Sequence, residues 1–300
     1  MLDFKVPEIA DKQWVDECLK NVHSMNCEYA FGNVFIWRTA YSARICKYKD
    51  FFICRWGRGK DISYSVPIGK GDCKDAVEQI IADAESQGVP LKFYGVTENY
   101  KKLLDEYFPG KFTYEYDDAY NDYIYSTEKM AELRGKKYHG KRNHITNFKK
   151  NNPDWSFEKI SRKNIDECIA LHTDWIKNKE EEGADGDEDF SLEFEAVLTA
   201  FEYFDALDLT GGLIRIKGKV IAYTLGERQS DKVFITHFEK APADIQGAYP
   251  IINQEFTKNC LMSYEYVNRE EDLGLEGLRK AKQSYYPEIF LVKSIATYNG

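Results

Sequence analysis

The chain is written twice. "WVDECLK" at 14–20 returns as "NIDECIA" at 164–170, an offset of half the 300 residues. Both read as the opening of an amphipathic helix. A three-strand meander then appears in each half. The first is "RICKY", "FFICRW" and "DISYSVPI", joined by "KD" and "GRGK". The second is "GLIRI", "VIAYTL" and "VFITHF", joined by "KGK" and "GERQSDK". Aromatic and β-branched runs between Gly and charged turns are strand signals. Next, Val77, Ile80, Ile81 and Ala84 keep a helical period that Gly88 stops. In the second half Pro250 suits a first helical turn, and Ile252, Phe256 and Cys260 recur every four residues. Short strands "LKFYGV" and "SYEYV" follow, then helices "TENYKKLLDEYFP" and "NREEDLGLEGLRKAKQSYYP", then closing strands "FTYEY" and "EIFLVKSIAT".

One order of elements, met twice, predicts an α/β protein (α+β, mixed sheet) of two tandem domains. The turn-forming "NNPD" puts their boundary between 152 and 153, giving domains 1–152 and 153–300. The other reading of the echoes is one large mixed α/β domain.

A mixed sheet in this order resembles the GNAT-type N-acyltransferase fold. Two copies in tandem resemble the Fem-type peptidoglycan aminoacyltransferases and the C-terminal catalytic domain of phosphatidylglycerol lysyltransferase. "LRGKKYHGKRNHITNFKK" at 133–150, "VNREEDLGLEGLRKAKQSYYP" at 267–287 and the final "KSIAT" look like soluble proteins grouped with that lysyltransferase domain. The resemblance covers essentially the whole chain. It implies two tandem GNAT-like acyltransferase domains, the second being the catalytic half, with a ligand channel between splayed central strands. The implied activity moves an acyl or aminoacyl group onto an amine or hydroxyl. The expected donor is an aminoacyl-tRNA or another phosphate-bearing molecule, ahead of acyl-CoA, with no tightly bound cofactor. The expected acceptor is a small molecule or a lipid headgroup. The alternative is a non-catalytic GNAT-fold module that binds an anionic ligand.

Charge is distributed unevenly. The whole chain carries a formal −9, yet 134–150 holds seven Lys or Arg, two His and no acid. A globally acidic protein does not adsorb indiscriminately to polyanions, but a local basic patch still binds one anionic group. Three readings of this segment stand: a solvated inter-domain helix with Leu133, Ile145 and Phe148 packed inward, a phosphate-reading surface with Tyr138 and Phe148 interleaved, or a weak attraction to anionic headgroups. The acidic run "EEEGADGDED" at 180–189 is a candidate partner for the first. The first residues lack an apolar signal core, and no apolar run nears the roughly 18 residues of a membrane span. The expectation is a cytoplasmic protein without stable membrane insertion. Seven Cys without CxxC and five His without zinc spacing predict reduced thiols and no metal site.

Acyl transfer needs a proton acceptor for the nucleophile, stabilisation of the oxyanion, and neutralisation of the leaving group. Arg279 and Lys282 lie three apart, on one helical face. By the Fem-type resemblance Lys282 is the best match to a Lys that stabilises the reacting carbonyl, and Tyr285 to a general acid. The competing reading pairs Arg279 and Lys282 with Glu276 or Glu270 on a solvated face and makes Tyr285 core. His237, at the end of a central strand beside Glu239, is a candidate base or a core histidine. Asn268, Arg269 and Asp272 follow a strand whose C-terminal end faces a crevice in open α/β sheets; Asn268 also reads as a helix cap. Gln246 and Gly247 sit where a GNAT-type enzyme cradles pyrophosphate. Asp244 and Tyr249 break the usual pattern there, and a plain N-cap loop is the other reading. Lys141, Arg142 and Asn143 are expected to contact the donor or an anionic acceptor.

Overall fold

The computed structural model of the chain describes residues 2–20, 22, 24–181 and 190–300. All but the first two residues of the acidic run at 180–189 lie outside them, and so does the pairing expected of it. The leading strands are β1 (Arg44–Tyr48), β2 (Phe51–Trp56), β3 (Ser63–Tyr64), β4 (Ile68–Gly69), β5 (Lys92–Thr97) and β6 (Phe112–Tyr116). Among them lie α1 (Lys12–Leu19), α2 (Phe31–Ile36), α3 (Lys74–Gln87) and α4 (Glu98–Tyr107). After them come β7 (Asp122–Ser126), α5 (Thr127–Glu132), α6 (His139–Asn151), β8 (Ser156–Lys159), α7 (Ile165–Glu181) and α8 (Phe190–Glu202). The chain continues through β9 (Thr210–Ile216), β10 (Lys219–Arg228), β11 (Val233–Lys240), α9 (Ala248–Phe256), β12 (Tyr266–Asn268) and α10 (Glu276–Gln283). It ends with β13 (Ile289–Leu291) and β14 (Lys293–Tyr298).

These elements build two mixed sheets. One runs β1-β2-β3-β5-β14-β6, with β4 on β2; the other runs β13-β7-β12-β11-β10-β9-β8. Two mixed α/β sheets of this kind are the tandem GNAT-like architecture that the resemblance implies. Local chemistry fixes each piece. The β1–β2 hairpin closes on a two-residue turn in which Lys49 takes φ 53°, with Tyr48 opposite Phe51. Helix α3 ends as predicted at Gly88, which caps it in the left-handed conformation. The interiors of both sheets are apolar: Ile45, Phe52, Ile53 and Phe93 are fully buried in one, and Leu213, Ala222, Leu225 and Ile235 in the other.

The chain divides into two compact units, but not at 152/153. The first comprises Met1–Tyr123, Glu271–Lys280 and Phe290–Gly300; the second comprises Ile124–Glu270 and Ala281–Ile289. The reason is strand placement. The last strand, β14, pairs with β5 and β6 of the first sheet, for instance Ser294 with both Val96 and Tyr116. Strand β7, from "NDYIYS", pairs with β12 in the second sheet. The run "EIFLVKSIAT" is therefore two strands, one in each sheet. The expected helix from Asn268 is also shorter, because only Glu276–Gln283 is α-helical. Positive φ at Glu270, Leu273 and Gly274 breaks the chain before it. Asn268 caps a turn instead of a helix, its Oδ1 accepting from the Glu270 amide at 2.7 Å.

A candidate transfer centre in the second unit

Strands β11 and β12 are parallel neighbours for three residues only, from Val233 opposite Tyr266 to Ile235 opposite Asn268. Beyond that, β11 runs on to Lys240 while the other chain turns away. Side chains fill the gap. Glu270 reaches His237, and Arg269 reaches Glu239 with Nη2 to Oε1 at 2.9 Å. Glu239 also accepts from Asn253 Nδ2 at 3.2 Å, while the buried Asn253 Oδ1 has no partner among the described residues.

His237 sits in this gap with a carboxylate on each ring nitrogen. Its Nδ1 lies 2.8 Å from Glu270 Oε1 and its Nε2 lies 3.0 Å from Glu227 Oε1. Burial alone would lower its pKa, but the two carboxylates outweigh burial and raise it to about 10. At neutral pH the ring is an imidazolium with both nitrogens occupied. Glu227 follows Gly226, where β10 shifts register against β11 and a Cβ would meet Ile235 O at 1.8 Å.

Next to the Arg269–Glu239 pair stand Lys141 and Tyr285. The segment 134–150 forms a short 3-10 turn at Lys136–Tyr138 and then α6. Leu133, Ile145 and Phe148 are buried, as the inward-packing reading expects; Tyr138 is buried too, so neither ring of the phosphate-reading surface is exposed for stacking. Tyr138 donates to the Tyr285 backbone oxygen at 3.1 Å, which ties α6 to the chain after α10. Lys141 Nζ then lies 4.0 Å from the centroid of the Tyr285 ring, and Arg269 Cζ lies 5.3 Å from the same ring. Lys141 makes no ion pair among the described residues. Burial, with Arg269 nearby, lowers its pKa to about 8, against a smaller opposing pull from Glu239. Tyr285 is 5% exposed, and burial pushes its phenol well above the usual range.

The other expected residues divide. Lys282 is buried and donates to the backbone oxygen of Arg269 at 2.6 Å, so it positions Arg269 and the turn that carries it. Tyr125 donates in turn to the Lys282 oxygen at 2.8 Å. Arg142 is half-buried. Its Nη1 binds Leu133 O and Gly135 O, the latter at 2.7 Å, and so holds the entry to α6. Asn143 is exposed and lies 3.1 Å from His139 Nε2. Arg279 belongs to the first unit, where Asp272 holds it by Nε at 2.6 Å and Nη2 at 3.0 Å. Tyr123 adds a hydrogen bond to the same carboxylate at 2.6 Å.

Gly247 caps α9 with φ 87°. A Cβ there would meet His144 O at 2.6 Å, so α6 packs directly against the loop. The Ala248 amide turns back to Ile245 O, and Pro250 has no amide. Gln246 is exposed. The loop thus offers an anion few amides, and its close packing accounts for the glycine.

Sequence reasoning named His237, Glu239 and Arg269 without their pairings and passed over Glu227 and Asn253. Glu227 was read as part of the turn "GERQSDK", whereas β10 runs through it to Arg228.

Comparison with known proteins identifies the family. The sequence profile described as "Phosphatidylglycerol lysyltransferase, C-terminal" matches residues 19–297. A conserved protein of unknown function from Bacteroides thetaiotaomicron has a crystal structure that superposes with a TM-score of 0.94 at 36% identity, covering 99% of this chain and 100% of that one. The L-PGS structure from Bacillus licheniformis superposes with a TM-score of 0.70 at 16% identity, covering 99% of this chain and 93% of that one, a likeness of fold. An uncharacterized protein of Mycoplasmoides gallisepticum is 25% identical over 189 residues, which span 59% of this chain and 55% of that protein, about half its length.

Proposed function

The chain belongs to the phosphatidylglycerol lysyltransferase C-terminal family, and on that premise we propose that its second unit transfers an acyl or aminoacyl group onto an amine or hydroxyl acceptor at Lys141 and Tyr285. The observation that carries the proposal is the Lys141 amine, 4.0 Å from the Tyr285 ring centroid and without a carboxylate partner among the described residues. Its pKa near 8 leaves a working fraction of free amine at physiological pH. The Tyr285 phenol is pushed the other way and stays protonated. Two neighbouring groups with separated pKa values are an acid and base pair.

The acceptor nitrogen or oxygen forms a bond to the donor carbonyl carbon, and its proton passes to Lys141 Nζ. The carbonyl oxygen gains negative charge that the Arg269 guanidinium offsets. The bond to the leaving oxygen then breaks, and Tyr285 gives that oxygen its proton. Lys141 returns a proton to the phenolate. Lys282 and Glu239 hold Arg269 in place.

The donor we favour is an aminoacyl-tRNA. Exposed Arg134, Lys136, Lys137 and Lys150 lie on the segment that presents Lys141. Lys137 Nζ is 4.8 Å from the Tyr286 ring centroid, so charge and an exposed ring stand together, as phosphate contact with base stacking requires. The amide-poor start of α9 supports this donor over acyl-CoA. The family description supports a lipid headgroup as the acceptor we favour. No described helix is long and apolar enough to cross a membrane, so such a headgroup would be met at a surface.

The test is fluorescence anisotropy of bulk aminoacylated tRNA across a salt series. Saturable binding with a steep salt slope, lost in Lys136→Glu/Lys137→Glu, is expected. Absence of binding at low salt overturns the tRNA donor. One observation favours the alternative of a non-catalytic anion-binding module: Lys282, Arg279 and His237 are all engaged in internal bonds. That reading expects ligand binding without turnover.

A further inference from the structure

The first unit has its own cavity, about 260 Å³, walled by Glu28, Glu115, Asp117, Tyr94, Tyr116 and Tyr120. It is smaller than the roughly 300–1,000 Å³ of drug-sized pockets, which suits a short molecule and not a nucleotide. Lys293 forms part of its lining. That ammonium is shared by three carboxylates: Glu28 at 3.1 Å, Asp122 at 2.8 Å, and Glu271. The Lys293 and Asp122 side chains are 1% and 0% exposed. One buried cation therefore faces three acids, and two further acids line the cavity. Glu28 shares Lys293 with two other acids, and Glu115 and Asp117 line the same cavity, so an added ammonium there meets opposite charge. In agreement, burial holds the Glu28 carboxyl up to about 7; Lys293 opposes this, and Glu271 and Asp122 reinforce it.

The chain is also shaped to keep Glu28 there. Gly95 has φ 67°, and a Cβ on it would lie 1.8 Å from Glu28 Oε2. Asn26 Nδ2 and the Tyr29 hydroxyl pin the Gly95 carbonyl at 2.9 and 3.0 Å. The glycine leaves the space that the carboxylate occupies. Tyr94 and Tyr120 meet edge to face with centroids 5.6 Å apart, and Tyr116 and Tyr120 are exposed at 55% and 37%. Aromatic walls beside carboxylates suit an aliphatic stem that ends in a cation.

We propose that this cavity binds the primary ammonium group of a small aliphatic amine, with Glu28, Glu115 and Asp117 accepting its hydrogen bonds and the three tyrosines enclosing its carbon chain. The site lies wholly in the first unit and stands independently of the transfer reading.

Isothermal titration of the full chain with n-butylammonium and with agmatine tests it, with n-butanol and butyrate as uncharged and anionic counterparts at matched ionic strength. Saturable 1:1 binding of the amines alone is expected, weakened about tenfold or more in Glu115→Gln/Asp117→Asn, a loss of about 1.4 kcal/mol. Gly95→Ala, which displaces Glu28, is expected to abolish it. Both acids of the double variant are exposed, so that protein folds even if Gly95→Ala does not. No saturable binding of either amine, equal binding of n-butanol, or amine binding unchanged by the double variant would overturn the proposal.

Discussion

The Lys141 amine stands 4.0 Å from the centroid of the Tyr285 ring, and the Tyr138 hydroxyl fixes that spacing through the Tyr285 backbone oxygen at 3.1 Å. A half-buried lysine beside a second cation in Arg269 gives up its proton more easily than a solvated one. The first prediction follows from that. Transfer rises with pH and levels off above an apparent pKa near 8, the value to which burial and Arg269 lower Lys141. Lys141→Met lowers kcat by about 10²- to 10⁴-fold, the usual worth of a general base. Lys141→Arg keeps the charge and loses the rate with it. A pH–rate profile of wild type and Lys141→Arg separates a base from a mere cation.

His237 gives a prediction about stability. Its folded pKa, about 10, lies above its ordinary 6.5. Such a group contributes stability that is fully present below pH 6.5 and is lost as pH rises through 10. Denaturant midpoints of wild type should therefore fall between pH 7 and 10 more steeply than those of His237→Gln. The variant removes the cation that both Glu227 and Glu270 bind, so it is also less stable at pH 7, by about 3–5 kcal/mol. Nitrogen chemical shifts showing a neutral imidazole at pH 8 would count against the arrangement.

Arg279 and Asp272 predict the reverse pH dependence. Burial would raise the Asp272 carboxyl, but Arg279, Tyr123 and the Gly274 amide together hold it below its ordinary range. Its contribution is present above about pH 4, the unfolded value, and is lost as pH falls through the lower folded value. Arg279→Met should be less stable than wild type at pH 6, and the gap should close below pH 4. Because Arg279 serves the first unit's fold, kcat per folded molecule stays unchanged. A fall in kcat without a fall in stability would return Arg279 to the catalytic list.

Gly247 is held by packing. Gly247→Ala puts a side chain at φ 87° and 2.6 Å from His144 O. The expected cost is about 1–3 kcal/mol in a chemical denaturation series, accompanied by loosening of α6 and hence of Lys141. An unchanged midpoint would mean that α6 does not press on this loop.

The repeat was legible because its signals are local. Strand runs, the Gly88 stop and the buried face of α6 each lie within one element's own residues. What could not be read is what crosses the sequence. Nothing in "KSIATY" says that β14 joins β5 and β6, since alternation sets a strand's faces and not its neighbours. His237 reads as a base because its carboxylates stand 10 and 33 residues away. Arg142 reads as a ligand contact because the two carbonyls it binds are backbone atoms, which carry no sequence signal. Lys141 was expected to touch the donor; its lowered pKa comes from burial and from Arg269, more than a hundred residues on.

The central claim is that Lys141 takes a proton during group transfer in the second unit. Its most direct test is single-turnover transfer of radiolabelled aminoacyl groups from bulk charged tRNA to an amine or lipid-headgroup acceptor, run at pH 6 to 9 with wild type and Lys141→Met. The account predicts transfer by wild type that climbs to a plateau above pH 8, and loss of at least about a hundredfold in the variant. Transfer by Lys141→Met at the wild-type rate, or a wild-type profile flat across this range, would contradict it.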